Sequence, residues 1–397
     1  MMKRLIVWLV CILLCVQPVY ANEPEQINTE EKADGPVISA PSAILMEKTT
    51  GTVIYEKDAN KQMPPASVTK VMTLLLIFDA IKEGKIKLED QVTVSEYAAS
   101  MGGSQVFLEP GEIQTVDTLI KCIAVSSAND ACVAMGEYLC GSEEEFVKKM
   151  NERAKKLGMT NTHFENCNGL DVDGHLTTAN DIALMSRELI LNYPQIRDYC
   201  MIWQENIQHK TKKGTTDFGL SNTNKLVRHY EYATGLKTGS TSKAKFCISA
   251  TGEKEGIELI AVIMAADDSK KRNADAVTLL NYGFGKCKKY EETVVPELDA
   301  VNVKRGETEK LEIAQEKPFT YVDVKGRDLS KIERKAEVPE NVKAPVKQGE
   351  KVGKIIYKIG EEIIGEIPVL AAESIAEINY GKAILKTFQK LLLKKGT

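Results

Sequence analysis

Strand-like runs stand at both ends of the first 290 residues and helical runs fill the space between, a distribution that admits few folds. Ala43 to Met46 and Thr52 to Tyr55 read as a hairpin turned through Lys48-Thr49-Thr50-Gly51. Thr234 to Thr238, Phe246 to Ala250 and Ile257 to Ala265 form the later set. Between them, the run from Val68 to Ile81 is apolar on nearly every face until Gly84, which predicts a buried helix. Residues 115–123 and 130–140 predict two more helices, separated by a kink at Val125-Ser126-Ser127-Ala128-Asn129. Ser142 and Glu145 form a capping box for the next, with Phe146, Met150 and Leu157 inward. Helices from Ala179 to Asn192 and from Lys271 to Phe284 complete the pattern. Two strands, many helices, three strands and a last helix predict one mixed α+β domain whose sheet unites both ends of the segment.

The character changes near Val294. From there to Val369 short alternating strands rich in Lys and Glu, with turns at Gly306, Gly326, Gly349 and Gly360, predict a small all-β domain. The final segment places Ile375, Ile378, Ile384, Leu385, Phe388, Leu391 and Leu392 on one face of a helix. Lys382, Lys386, Lys390 and Lys394 line the other. Such a helix can lie in a membrane interface beside anionic head groups, or pack on the β domain; the terminal position and basic face favour the membrane. At the other end, Lys3-Arg4, the apolar run from Leu5 to Val16 and Val19-Tyr20-Ala21 read as a secretory signal peptide. The expected organisation is therefore signal peptide 1–21, flexible N-terminus 22–40, mixed α+β domain 41–290, all-β domain 291–370 and amphipathic helix 371–397. The expected location is the outer face of the cytoplasmic membrane.

A formal net charge of −4 in 397 residues gives no reason to expect nucleic-acid binding. Removing the signal peptide leaves Cys122, Cys132, Cys140, Cys167, Cys200, Cys247 and Cys287, an odd set without a C-x-x-C pair. No disulfide framework or metal site is indicated, although a single disulfide stays open.

Ser67 and Lys70 lie three residues apart at the start of a buried run, so hydroxyl and amine share a face. Desolvation disfavours the charged amine, and a neutral amine can take the proton of a neighbouring alcohol. The plainer reading is a helix cap and a snorkelling lysine. At the 125–129 kink, Ser127 could relay a proton and Asn129 could bind an amide, or either could cap a helix. Lys237-Thr238-Gly239 ends a strand-like run, where cation and hydroxyl could grip a carboxylate while Gly239 admits close backbone approach. His175 reads as a structural turn residue rather than a base.

In order, Ser67-Val68-Thr69-Lys70, Ser127-Ala128-Asn129 and Lys237-Thr238-Gly239 match the S-x-x-K, S-x-N and K-T-G set of penicillin-binding proteins and β-lactamases. With the stretch Gly169 to Ala179 and the Gly235-Leu236 pair, the whole chain resembles the low-molecular-mass D-alanyl-D-alanine carboxypeptidases of the penicillin-binding protein 5 type. That resemblance implies an antiparallel sheet flanked by helices and a cofactor-free, metal-free hydrolysis of peptidoglycan stem peptides ending in D-Ala-D-Ala. It further implies Ser67 as nucleophile, Lys70 as base, Ser127 as proton relay and Asn129 on the peptide. Lys237 and Thr238 would hold the carboxylate, beside Gly239, and the backbone N–H groups of Ser67 and Ser240 would form the oxyanion hole. β-Lactams are expected to acylate Ser67. Two positions depart from the pattern: Ser240 stands where histidine is frequent, and Lys245 where glycine is.

A class A β-lactamase is the nearest rival, since Glu188-Leu189-Ile190-Leu191-Asn192 spells its E-x-x-L-N. That motif falls inside an amphipathic helix, so Glu188 is expected to be a solvated helix residue. A non-catalytic wall-binding scaffold is the other rival, although Ser67, Lys70 and Lys237 are all intact.

Overall fold

The computed structural model describes residues 35–212 and 214–385. The expected signal peptide, most of the expected flexible N-terminus and residues 386–397 of the expected amphipathic helix lie outside the described residues. Strands β1 (Ser42–Glu47), β2 (Val53–Lys57), β3 (Ala233–Thr241), β4 (Lys245–Lys254) and β5 (Ile257–Ala266) form one sheet in the order β2-β1-β5-β4-β3. Every pairing is antiparallel, and Ile44 lies opposite Val262. The two ends of the segment thus meet in one sheet, as expected.

Alternation in β1 sorts side chains to two cores. Ala43 and Leu45 pack with Leu259, Ala261 and Ile263 under Ala276, Leu279 and Leu280 of helix Ser269–Lys286. Ile44 and Met46 face the other way, with Ile260, Val262 and Met264, against helices Lys70–Lys82, Val116–Val125, Asn129–Cys140 and Ala179–Asn192. Strand β3 stays at the sheet's edge. Its free side is therefore available beside the turn that carries Ser67.

Several expectations need correction. Ser67 lies in a 3-10 turn, Ala66–Thr69, and the α-helix proper starts at Lys70. Ala66 has φ 48°, so the chain leaves Pro64-Pro65 through a left-handed residue before the helix can begin. The hairpins Gln91–Thr93/Ile113–Thr115 and Gln204–Thr211/Gly214–Ser221 were invisible in the sequence. Gln204–Thr211 alternates in burial but carries Ile207 as its one apolar residue, too few to signal a strand. Residues 38–40 are anchored rather than loose: Asp275 accepts from Ser39 N, Ser39 Oγ and Ala40 N, and Ile38 and Ala40 are buried.

Apart from the 3-10 turn Leu329–Lys331, the chain from Lys288 to Ala371 is built of strands, in sheets of two, three and four. Its core centres on Tyr357, stacked on Phe319 at 3.9 Å between ring centroids, with the Glu292 carboxylate accepting from Tyr357, Gln315 and Phe319 N. Ile375 belongs to this core and bridges to Val346, and Ile378 N donates to Arg305 O. These two residues therefore do not join the amphipathic helical face; the helix begins at 380, and its Lys382 is paired with Glu307. No helix among the described residues is long and apolar enough to cross a membrane.

Candidate active site

The turn Ala66–Thr69 is held from below. Thr69 Oγ1 donates to Ala66 O, and His175 Nε2 meets the same hydroxyl at 2.8 Å while Nδ1 accepts from Glu165 N. Burial pushes the His175 imidazole down to about 4, so it is a neutral structural group at physiological pH.

Lys70 begins the α-helix and is completely buried, 0% exposed. Its Nζ lies 2.9 Å from Ser67 Oγ, 2.7 Å from Asn129 Oδ1 and 2.6 Å from Asn168 O. Burial pushes the amine below its ordinary value. Two of the three neighbours can only accept. A neutral amine that donates to Asn129 and Asn168 is left with its lone pair directed at the third, the Ser67 hydroxyl, which is half-exposed.

Asn129 is the first residue of helix Asn129–Cys140, after the sharp kink in which Ser127 adopts φ 61°. The Asn129 amide is turned inward: Oδ1 accepts from Lys70 and Nδ2 donates to Gly102 O. One amide hydrogen remains for a peptide. Ser127 is 3% exposed and its Oγ has no hydrogen-bond partner among the described residues. A buried hydroxyl without a partner costs about 1–3 kcal/mol, which sets Ser127 apart from an ordinary helix cap.

Opposite, β3 carries Lys237, Thr238 and Gly239. A Cβ on Gly239 would stand 2.7 Å from Ser67 N and 2.9 Å from Val68 N; only glycine lets the strand run this close to the turn. Thr238 Oγ1 donates to Thr223 Oγ1, and Thr223 N donates to Val125 O, which ties the strand to the Ser127 kink. Lys237 is 1% exposed and its Nζ donates to Thr238 O. Burial above all brings it down to about 7, and a proton on Lys70 adds to the effect. Ser240 is exposed at the rim. Lys245 sits at φ 55° and pairs with Asp267, which explains why glycine suits that position.

Sequence reasoning missed three contributors. Asn168 O is a ligand of Lys70, but a main-chain carbonyl leaves no side-chain signal. Arg272 is buried, has only Asn273 Oδ1 as side-chain partner among the described residues, and lies near enough to Lys237 to depress its basicity. Burial brings Arg272 itself down to about 10. Asp130 holds the 101–108 loop by accepting from Val106 N and Leu108 N. Lys237 and Arg272 are thus two buried basic groups within electrostatic reach of each other.

Glu188 departs from expectation. It is half-buried and pairs with Arg153, which also binds Asp79, so it is no solvated residue and is engaged away from Ser67. The described cysteines are free thiols, all buried except half-exposed Cys140.

A family model described as D-alanyl-D-alanine carboxypeptidase matches residues 28–268, and one described as penicillin-binding protein 5, C-terminal domain, matches residues 290–377. D-alanyl-D-alanine carboxypeptidase DacF of Bacillus subtilis is 40% identical over 386 residues, covering 96% of each chain. DacA of Escherichia coli is 31% identical, covering 94% of this chain and 93% of its own. The crystal structure of penicillin binding protein 5 from Haemophilus influenzae superposes with a TM-score of 0.68 at 26% identity, over 86% of this chain and 99% of that one.

Proposed function

The chain belongs to the D-alanyl-D-alanine carboxypeptidase family and is a serine-type peptidase of the penicillin-binding class; from that premise we propose the following course for its reaction. The Ser67 hydroxyl gives its proton to neutral Lys70 and its oxygen bonds to the carbonyl carbon of the penultimate D-alanine. Backbone N–H groups of Ser67 and Ser240 take the developing oxyanion, each worth roughly 3 kcal/mol. The C–N bond then breaks, and the proton passes through Ser127 Oγ to the departing D-alanine. Water, losing a proton to Lys70, attacks the ester and returns Ser67 to its starting state. Lys237 and Thr238 hold the substrate's terminal carboxylate, with Arg272 as a second cation behind them. Asn129 holds Lys70 and offers its remaining N–H to the peptide.

One observation carries this reading: a fully buried amine, pushed below its ordinary basicity, is held between two acceptors with Ser67 Oγ at 2.9 Å as its third neighbour. β-Lactams, whose ring amide copies the scissile bond, would acylate Ser67. The work site is the peptidoglycan at the outer face of the cytoplasmic membrane, to which the signal peptide and the basic C-terminal segment point. Mass spectrometry of diacetyl-Lys-D-Ala-D-Ala incubated with wild-type protein and with Ser67→Ala tests the reaction. Wild type should release one alanine and should stay labelled by a fluorescent penicillin, and Ser67→Ala should do neither. Rapid penicillin turnover would favour the β-lactamase; absence of both reactions would favour the scaffold.

A further inference from the structure

The loop 165–175 supplies Asn168 O, one of the two acceptors that aim the Lys70 amine. Most of its ties run to itself or to the helical side. Asn166 Oδ1 accepts from Gly169 N, Asn168 Oδ1 accepts from Leu170 N, and Cys167 O accepts from Thr73 Oγ1. Gly169, at φ 90°, is pressed so closely on the nucleophile turn that a Cβ would stand 1.9 Å from Ala66 O. Two ties cross the cleft to the end of β3 and the turn after it. One is an exposed ion pair, Lys243 to Asp173. The other is half-buried: Thr241 Oγ1 donates to Asp171 Oδ1 at 2.8 Å while accepting from Ala244 N. Asp171 lies three residues beyond the carbonyl that holds Lys70, and Thr241 lies two beyond the glycine that touches the Ser67 turn.

We propose that Asp171 and Thr241 are positioning residues, a latch that spans the cleft and holds the Asn168 carbonyl against Lys70, so that the base is aimed only while both walls are in register. The latch touches no reacting atom. It acts by keeping one N–H of the amine occupied and water out. Without it only the exposed Lys243 to Asp173 pair crosses the cleft, the amine gains hydration and a third rotational choice, and its lone pair leaves the Ser67 hydroxyl for part of the time.

This inference rests on Lys70 being the base, and the experiment separates the two. Acylation of the full-length protein by a fluorescent penicillin is followed from pH 5 to 10 for wild type, Asp171→Ala, Asp171→Asn, Thr241→Val, Lys243→Ala and Lys70→Met. Asp171→Ala and Thr241→Val should acylate about 10-fold more slowly, with the acid limb moved to higher pH because a hydrated amine regains its ordinary basicity. Asp171→Asn keeps an acceptor for Thr241 and should restore both rate and limb; Lys243→Ala should leave them unchanged. A merely structural role would lower the active fraction without moving the limb. An unmoved limb in both Asp171→Ala and Thr241→Val, with Lys70→Met inactive, overturns the latch and leaves the base standing. Acylation by Lys70→Met at the wild-type rate removes the base reading itself.

Discussion

At the scale of single residues, the site turns on desolvation. Lys70 and Lys237 are both buried and both pushed below the ordinary lysine value, yet they are asked for opposite protonation states. Lys70 must be neutral to accept a proton. Lys237 must be charged to attract a carboxylate. With Lys237 brought down to about 7, the free enzyme sheds that proton as pH rises through neutrality, whereas a bound carboxylate favours keeping it. Substrate binding should therefore take up a proton, and KM for a D-Ala-D-Ala peptide should climb on the alkaline side of pH 7 by up to about tenfold per pH unit. Replacing the lysine by arginine, which stays charged, should flatten that climb even if kcat falls. A wild-type KM that is level from pH 6 to 9 would contradict the assignment of Lys237 to the carboxylate.

At the scale of elements, the helices divide by how they begin. Thr115, Ser142, Thr178 and Asp268 each accept from a backbone N–H in the first turn of the helix they open. Helix Asn129–Cys140 has Ala128 at that position and makes no such bond. Its kink residues serve Lys70 and the cleft instead, and the helix is stabilised by burial of Ala131, Cys132, Val133, Ala134 and Met135. The capping box read from Ser142 and Glu145 is half realised: Ser142 Oγ accepts from Glu145 N, while the Glu145 carboxylate pairs with Lys148. Removing an ordinary cap should then cost stability alone. Thr178→Ala, at the start of helix Ala179–Asn192, should lower unfolding free energy by about 1 kcal/mol in a urea titration and leave penicillin labelling at the wild-type rate. A lost labelling rate at unchanged stability would mean that this helix end belongs to the site.

At the scale of the molecule, the sheet brings residues 42–57 and 233–266 together, and the all-β part has a core of its own around Phe319 and Tyr357. Phe319→Ala should destabilise that part by about 3–5 kcal/mol in thermal unfolding, while Ser67 is labelled by penicillin as before at temperatures where the first part stays folded. Parallel loss of labelling would show that the two cores unfold as one. Much of this was legible in residue order. Strand-like runs marked β1 to β5, Gly84 closed a helix, and three short motifs marked Ser67, Ser127 and Lys237 because each obeys a local spacing rule. The Gln204–Thr211 hairpin was hidden because it buries little, and Ile375 and Ile378 were misassigned because apolar spacing cannot distinguish a helical face from an extended segment bonded to the β part. Arg272, Asn168 and the Asp171 to Thr241 bond had no local signature at all. By itself the sequence determined which residues could react, since reactivity begins with residue type and with neighbours one turn away. Only the tertiary structure decided that Lys70 is dry, that its two other partners merely accept, and that a strand 170 residues later in the chain runs against Ser67. Desolvation and aim arise from chain segments that meet only when the sheet closes.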